Sequence, residues 1–191
     1  MKTLTDEDAL FAAGYVSGLA NVLSEIDPRS IAALLSELRT VRDRGTFAWF
    51  FGNGGKAAIA AEFANDLSGG VDHRFRGISL SSNVPMLTAL ANDHDYAEIY
   101  SRQIAIYARP GDLCVGMSGS GHSLNVLDGL REAYCKGIRT VGLVGMDGGR
   151  MLTDYRKYID ALVHIPCPDD GPIEDAMLAI CHLCVMKFRA E

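Results

Sequence analysis

Nowhere in this 191-residue sequence does an uninterrupted apolar run approach the roughly 20 residues that a membrane-spanning helix needs. Basic residues are the minority, 18 Lys and Arg against 24 Asp and Glu, for a net charge of −6. A chain of that sign has no general basic stripe for nucleic acid, so neither a bilayer nor a nucleic acid is expected as a partner. The N-terminus, Met1-Lys-Thr-Leu-Thr-Asp-Glu-Asp8, turns acidic too early for a secretory signal, and a cytoplasmic setting is expected. Cysteines are few, odd in number and scattered, at Cys114, Cys135, Cys167, Cys181 and Cys184. Cys181-His-Leu-Cys184 lacks the second CxxC pair that a structural zinc site requires. This pair is expected to pack within a helix, as suits a reducing compartment. Repeats, low-complexity tracts and linkers are also missing, so one domain over 1–191 is the simplest organisation.

What the chain does have is an organising stretch, Cys114-Val-Gly-Met-Ser-Gly-Ser-Gly-His-Ser123, followed by the amphipathic run Leu124-Asn-Val-Leu-Asp-Gly-Leu-Arg-Glu-Ala133. It reads as a buried strand, a tight turn and the start of a helix. Glycines let such a turn aim backbone N–H groups inward, and the helix N-terminus adds partial positive charge. The hydroxyls of Ser118, Ser120 and Ser123 are short neutral donors suited to phosphate oxygens. Because the protein is acidic overall, a phosphorylated ligand has to be held by local donors of this kind. A polar turn whose serines only cap the helix is the competing reading.

Before any strand, residues 6–25 carry apolar side chains at helical spacing, including Leu10, Val16 and Leu23. A second helix opens at Asp27-Pro28, a cap followed by a first-turn proline, and ends at Gly45. This two-helix hairpin, residues 1–45, needs a surface to cover, and that surface is expected on another subunit. From residue 46 the pattern alternates. Strands are expected at 46–51, 75–80, 112–117, 140–144 and 160–165, apolar on both faces as in a covered parallel sheet. Helices lie between them, and a last one covers 172–188. The rhythm predicts an α/β fold, a three-layer, doubly wound, five-stranded parallel sheet in flavodoxin-like order 2-1-3-4-5. Ligands of such sheets bind beyond the strand ends at the switch point between strands 1 and 3. Both of those strands run into glycine-rich turns here, Gly52-Asn53-Gly54-Gly55-Lys56 and the serine turn.

With these turns, and with Ala91-Asn-Asp93, Gly111-Asp112 and Gly145-Met-Asp-Gly-Gly149, the chain resembles the sugar isomerase (SIS) family, and within it the phosphoheptose isomerases. The resemblance covers nearly the whole chain. It implies aldose–ketose isomerisation of a phosphorylated sugar, no organic cofactor, and a homotetramer whose active sites lie at subunit interfaces. Position by position, Ser118, Ser120 and Ser123 match phosphate-binding serines, and Asn53 and Asp93 match positions that hold sugar hydroxyls. Gly54 and Gly119 belong to the same two loops. Asp66 and His182 match the catalytic carboxylate and histidine, although the family has glutamate at the first. With Glu62 and Glu174, where the family often has histidine and glutamine, they form an altered quartet for zinc or another divalent metal. Lys56 stands where serine is common, Gly119 where threonine is, and Gly70 where many members have arginine.

Isomerisation moves one proton between C1 and C2 through an enediol and another between the two oxygens. A carboxylate and an imidazole divide that work sensibly, with Asp66 expected on carbon and His182 on oxygen. Residues four apart share a helix face, so Glu62 and Asp66 can point the same way. An ammonium at a helix start favours a phosphate contact for Lys56, and three alternatives remain open from sequence: a solvated face for Glu62 and Asp66, a packed core histidine at 182, and a solvated Lys56. So does the alternative of a non-catalytic SIS-domain protein that binds a phosphosugar or a protein, or an isomerase or epimerase of another sugar phosphate.

Overall fold

A computed structural model describes residues 6–71 and 74–191; residues 1–5, the start of the acidic N-terminus, lie outside it. The chain opens with two helices, α1 (Asp6–Glu25) and α2 (Pro28–Arg44). Asp27 caps α2 by accepting from the Arg29 N–H at 2.9 Å, and Pro28 follows at its first turn. Gly45 ends α2 with a φ of 65°, a left-handed conformation that costs glycine little. Leu34, Leu38 and Val41 of α2 are buried, whereas α1 buries no residue at all.

The rest alternates: β1 (Phe47–Gly52), α3 (Gly55–Gly70), β2 (Arg76–Ser79), α4 (Val84–Asp93), α5 (Ile99–Tyr107) and β3 (Leu113–Ser118). Then come α6 (Leu124–Cys135), β4 (Arg139–Val144), α7 (Gly149–Leu152), β5 (Ala161–His164) and α8 (Asp170–Arg189). The five strands form one parallel sheet in the order β2-β1-β3-β4-β5, as the sequence predicts. Alternation along each strand feeds two cores. Phe50, Val115 and Leu143 face α2, α3 and α8, while Trp49, Phe51 and Cys114 face α5 and α6. Three layers result.

Two features fix the strand ends that matter. Asp112, 4% exposed, accepts hydrogen bonds from the Phe47 N–H (2.9 Å), the Trp49 indole (3.0 Å) and the Arg109 N–H (2.9 Å). It thereby ties β1 to the turn that launches β3. At the opposite end the serine turn docks on the turn after β4. Gly145 N–H donates to the Ser118 carbonyl and Met151 N–H to the Gly121 carbonyl. Gly121 has a φ of 69°, and a Cβ there would collide with the Gly148 carbonyl, so both turns depend on its being glycine.

Cys181 and Cys184 pack inside α8 as expected, whereas Cys114 is buried in β3 and Cys135 is exposed. Cys114, Cys181 and Cys184 are buried, and burial pushes the Cys184 thiol up to about 12 and the other two well above the usual thiol range. All five are free thiols.

Candidate functional site

The ends of β1 and β3 sit side by side and bring the two glycine-rich turns together. Asn53, Gly54, Gly55, Lys56, Ser118, Gly119, Ser120 and Ser123 line one crevice of about 310 Å³ with Asp170 and Glu174 from α8. Ser118 is 2% exposed; its Oγ accepts the Gly121 N–H at 3.0 Å and lies 3.3 Å from the Ser123 Oγ. Ser120 Oγ accepts the His122 N–H at 3.3 Å. Ser123 precedes α6 yet makes no capping hydrogen bond with its side chain, which separates this turn from one that exists only to cap a helix.

Asn53 and Asn125 exchange amide hydrogen bonds at 2.9 and 2.8 Å, joining the two turns directly. Tyr100 donates to the Gly52 carbonyl and supports the same corner. Sequence reasoning missed Asn125, although a buried amide on the apolar face of α6 was the signal available. Asp93 is not brought here: it ends α4 exposed, accepting a hydrogen bond from Asn92.

Lys56 behaves differently from a solvated lysine. It is 7% exposed, and its ammonium is bound by Asp170 Oδ1 at 2.7 Å and Glu174 Oε1 at 2.9 Å. Burial lowers its pKa, but the hydrogen bonds and charges of Asp170 and Glu174 outweigh burial and the net shift is upward. The anion expected beside Lys56 is thus, in the ligand-free chain, a pair of protein carboxylates.

The second constellation lies farther along α3 and α8. His182 Nε2 is 3.8 Å from Asp66 Oδ2, with the imidazole side chain 49% exposed. It is not a packed core histidine; α8 turns Cys181 and Cys184 inward and His182 out. Asp66, His182, Val185, Met186 and Arg189 border a cavity of about 420 Å³. Donor atoms of Glu62, Asp66 and His182 all lie within 4.8 Å of one another, a set of two carboxylates and one imidazole that suits a divalent metal. Of the four residues expected around a metal, these three meet on one chain and Glu174 lies apart. It sits eight residues before His182, about 12 Å along the helix axis, and is held by Lys56. Near Gly70, where an arginine was expected to be lost, the Arg189 Nε donates to the Gly70 carbonyl at 2.8 Å and its guanidinium fills the space beside the glycine. No sequence pattern pointed to that substitution in space.

The SIS domain family model matches residues 14–145, well over half the chain. The chain belongs to the SIS domain family. The SIS fold here is 36% identical over 168 residues to a phosphoheptose isomerase of Geotalea daltonii, covering 86% of this chain and 85% of that protein. It is 37% identical over 137 residues to a phosphoheptose isomerase of Rhodospirillum rubrum, covering 70% and 71%. Among solved structures, phosphoheptose isomerase of Neisseria gonorrhoeae superposes with a TM-score of 0.88 at 22% identity, over 96% of this chain and 99% of that one. The enzyme of Francisella tularensis does so at 0.87 and 21%, over 98% and 100%. At those identities the structures speak for the fold. In SIS terms, the serine turn and the Asn53 turn flank the switch point, and Asp66 and His182 occupy the α3–α8 face.

Proposed function

We propose that this chain, as one SIS domain over residues 1–191, is an aldose–ketose isomerase of a phosphorylated sugar, with sedoheptulose 7-phosphate as substrate. The observation that carries the reading is the Asp66–His182 pair, half-open over a cavity, on a chain whose serine turn makes a second polar crevice. The names of the relatives at 36% and 37% identity support the choice of substrate.

In this reading Ser118, Ser120 and Ser123, with the first amides of α6, bind the phosphate. Asn53, with the backbone of Gly54 and Gly119 close by, borders the sugar. Asp66 takes the carbon-bound proton and returns it to the neighbouring carbon on the same face. His182 protonates one oxygen as it deprotonates the other; the reverse assignment is chemically equivalent on this geometry. A divalent cation such as zinc on Glu62, Asp66 and His182 would polarise the sugar carbonyl and offset the repulsion between the carboxylates.

Asp66 is eleven residues beyond Gly55, about 16 Å along α3. A seven-carbon sugar phosphate at full stretch measures roughly 10 Å from C1 to phosphorus, with single bonds of about 1.5 Å. That mismatch supports a site shared between two chains. The site is completed by a second copy, and we assign the chain to a homotetramer in which α1 lies at an interface. Leu10, Phe11 and Val16 of α1 are 72%, 78% and 67% exposed, apolar surface of the kind that partners cover. Sedimentation analysis is expected to give a tetramer, and Leu10→Ser, Phe11→Ser and Val16→Ser together a smaller species; a monomeric wild type would overturn the assignment. Five free thiols accord with a cytoplasmic setting.

The reaction is tested by incubation with sedoheptulose 7-phosphate and with pentulose and hexulose phosphates in deuterated water, with and without chelator. Deuterium is expected at C1 or C2 of the heptose phosphate. Exchange that survives chelation removes the metal from the mechanism. No exchange with any sugar phosphate points instead to a non-catalytic SIS-domain binding protein.

A further inference from the structure

Three segments that look unrelated in sequence meet in one ion cluster. Lys56 opens α3, Gly119 lies in the serine turn, and Asp170 and Glu174 belong to the first turns of α8. Any Cβ on Gly119 would lie 2.9 Å from the Lys56 Nζ and collide with Asp170, so the ammonium rests over the serine turn only because residue 119 is glycine. A Cβ on Gly55 would collide with the Glu174 carboxylate, so that carboxylate is lodged against the start of α3 by a second glycine. The crevice thus holds one cation and two anions, a net charge of −1, at the place where the three serines offer their hydroxyls.

The two carboxylates are not equivalent. The Glu174 side chain is 34% exposed and seated against Gly55, whereas that of Asp170 is 61% exposed. Asp170 can swing into water while Glu174 goes on holding the ammonium. We propose that Asp170 is a displaceable counter-ion of the phosphate subsite: it occupies Lys56 in the empty crevice and yields it to a phosphomonoester dianion. Binding is an exchange of one anion for another on the same ammonium. A monoanion brings Lys56 no more charge than Asp170 already does, so it gains little by displacing the carboxylate. A dianion does gain, and the crevice selects phosphate esters over sulfate esters and carboxylates. This rests on the serine turn being a phosphate site, as in the proposed function, and adds the counter-ion that a ligand must displace there.

The test uses the full-length protein and two small probes, methyl phosphate as the dianion at pH 8 and methyl sulfate as the monoanion, titrated calorimetrically. The wild type is expected to bind methyl phosphate at least tenfold more tightly than methyl sulfate. Asp170→Asn, conservative at an exposed site, is expected to tighten methyl phosphate by about tenfold and methyl sulfate by no more than that, because displacing the carboxylate costs both probes alike. Asp169→Asn removes the same charge one residue away, from a side chain with no bond to Lys56, and is expected to change either affinity by less than twofold. Equal tightening by both variants would make the effect one of general charge, and unchanged or weaker binding by Asp170→Asn would mean no exchange occurs; either overturns the proposal. Wild-type binding of neither probe overturns the phosphate subsite itself, and deuterium exchange into the sugar reports separately on the reaction. Melting curves of both variants distinguish lost binding from lost folding.

Discussion

His182→Asn is expected to lower the turnover of the heptose phosphate by about 10²–10⁴-fold, the range that a positioned acid/base group supplies. The substitution keeps a polar side chain at a half-exposed position, so the fold should not register it. It leaves the serine crevice intact, and KM should move by no more than a few-fold. Asp66→Asn is expected to fall in the same range, because an amide cannot accept the carbon-bound proton. The double variant should be hardly slower than either single one, since the two groups act on one intermediate. Steady-state kinetics together with deuterium exchange at C1 and C2 check all three. A loss below about fivefold for both single variants would remove the pair from the chemistry.

Asp112→Ala carries the largest expected effect on stability. Its carboxylate serves two backbone N–H groups and the Trp49 indole from a position that is 4% exposed. An unsatisfied buried donor costs about 1–3 kcal/mol, and the alanine leaves three of them, partly relieved by water entering at the strand ends. A net loss of about 3–5 kcal/mol is expected from urea unfolding, a large share of the 5–15 kcal/mol that a domain of this size has. Asp112→Asn keeps one acceptor oxygen and should lose about half as much. A cost below about 1 kcal/mol for the alanine would mean that the three donors find other partners.

The fold was legible because its signals are local. Five apolar runs, each closed by a turn, fell within a residue or two of the strands, and Asp27-Pro28 and Gly45 bounded α2 as their chemistry requires. The serine turn was legible for the same reason: three hydroxyls in six residues need no partner elsewhere to be noticed. What could not be read were meetings between distant segments. Lys56 and Glu174 are 118 residues apart in sequence, and their ion pair depends on two missing side chains, at Gly55 and Gly119, whose absence is informative only in three dimensions. Helical spacing allowed Glu62 and Asp66 to share a face but carried no information on which way Glu174 would turn, because its competing partner lies on another helix. Arg189 beside Gly70 is a case of the same kind.

Since α1 buries none of its 20 residues, its neighbours in the chain contribute little to its stability. A lone helix of that length is close to the marginal limit in water. Tyr15 reaches across to Asp175, an exposed tether. Dilution therefore acts as a selective solvent for the first segment. A protease added to a dilute sample should nick there first and leave the sheet whole, while crowding the same molecules together should shield the scissile bonds.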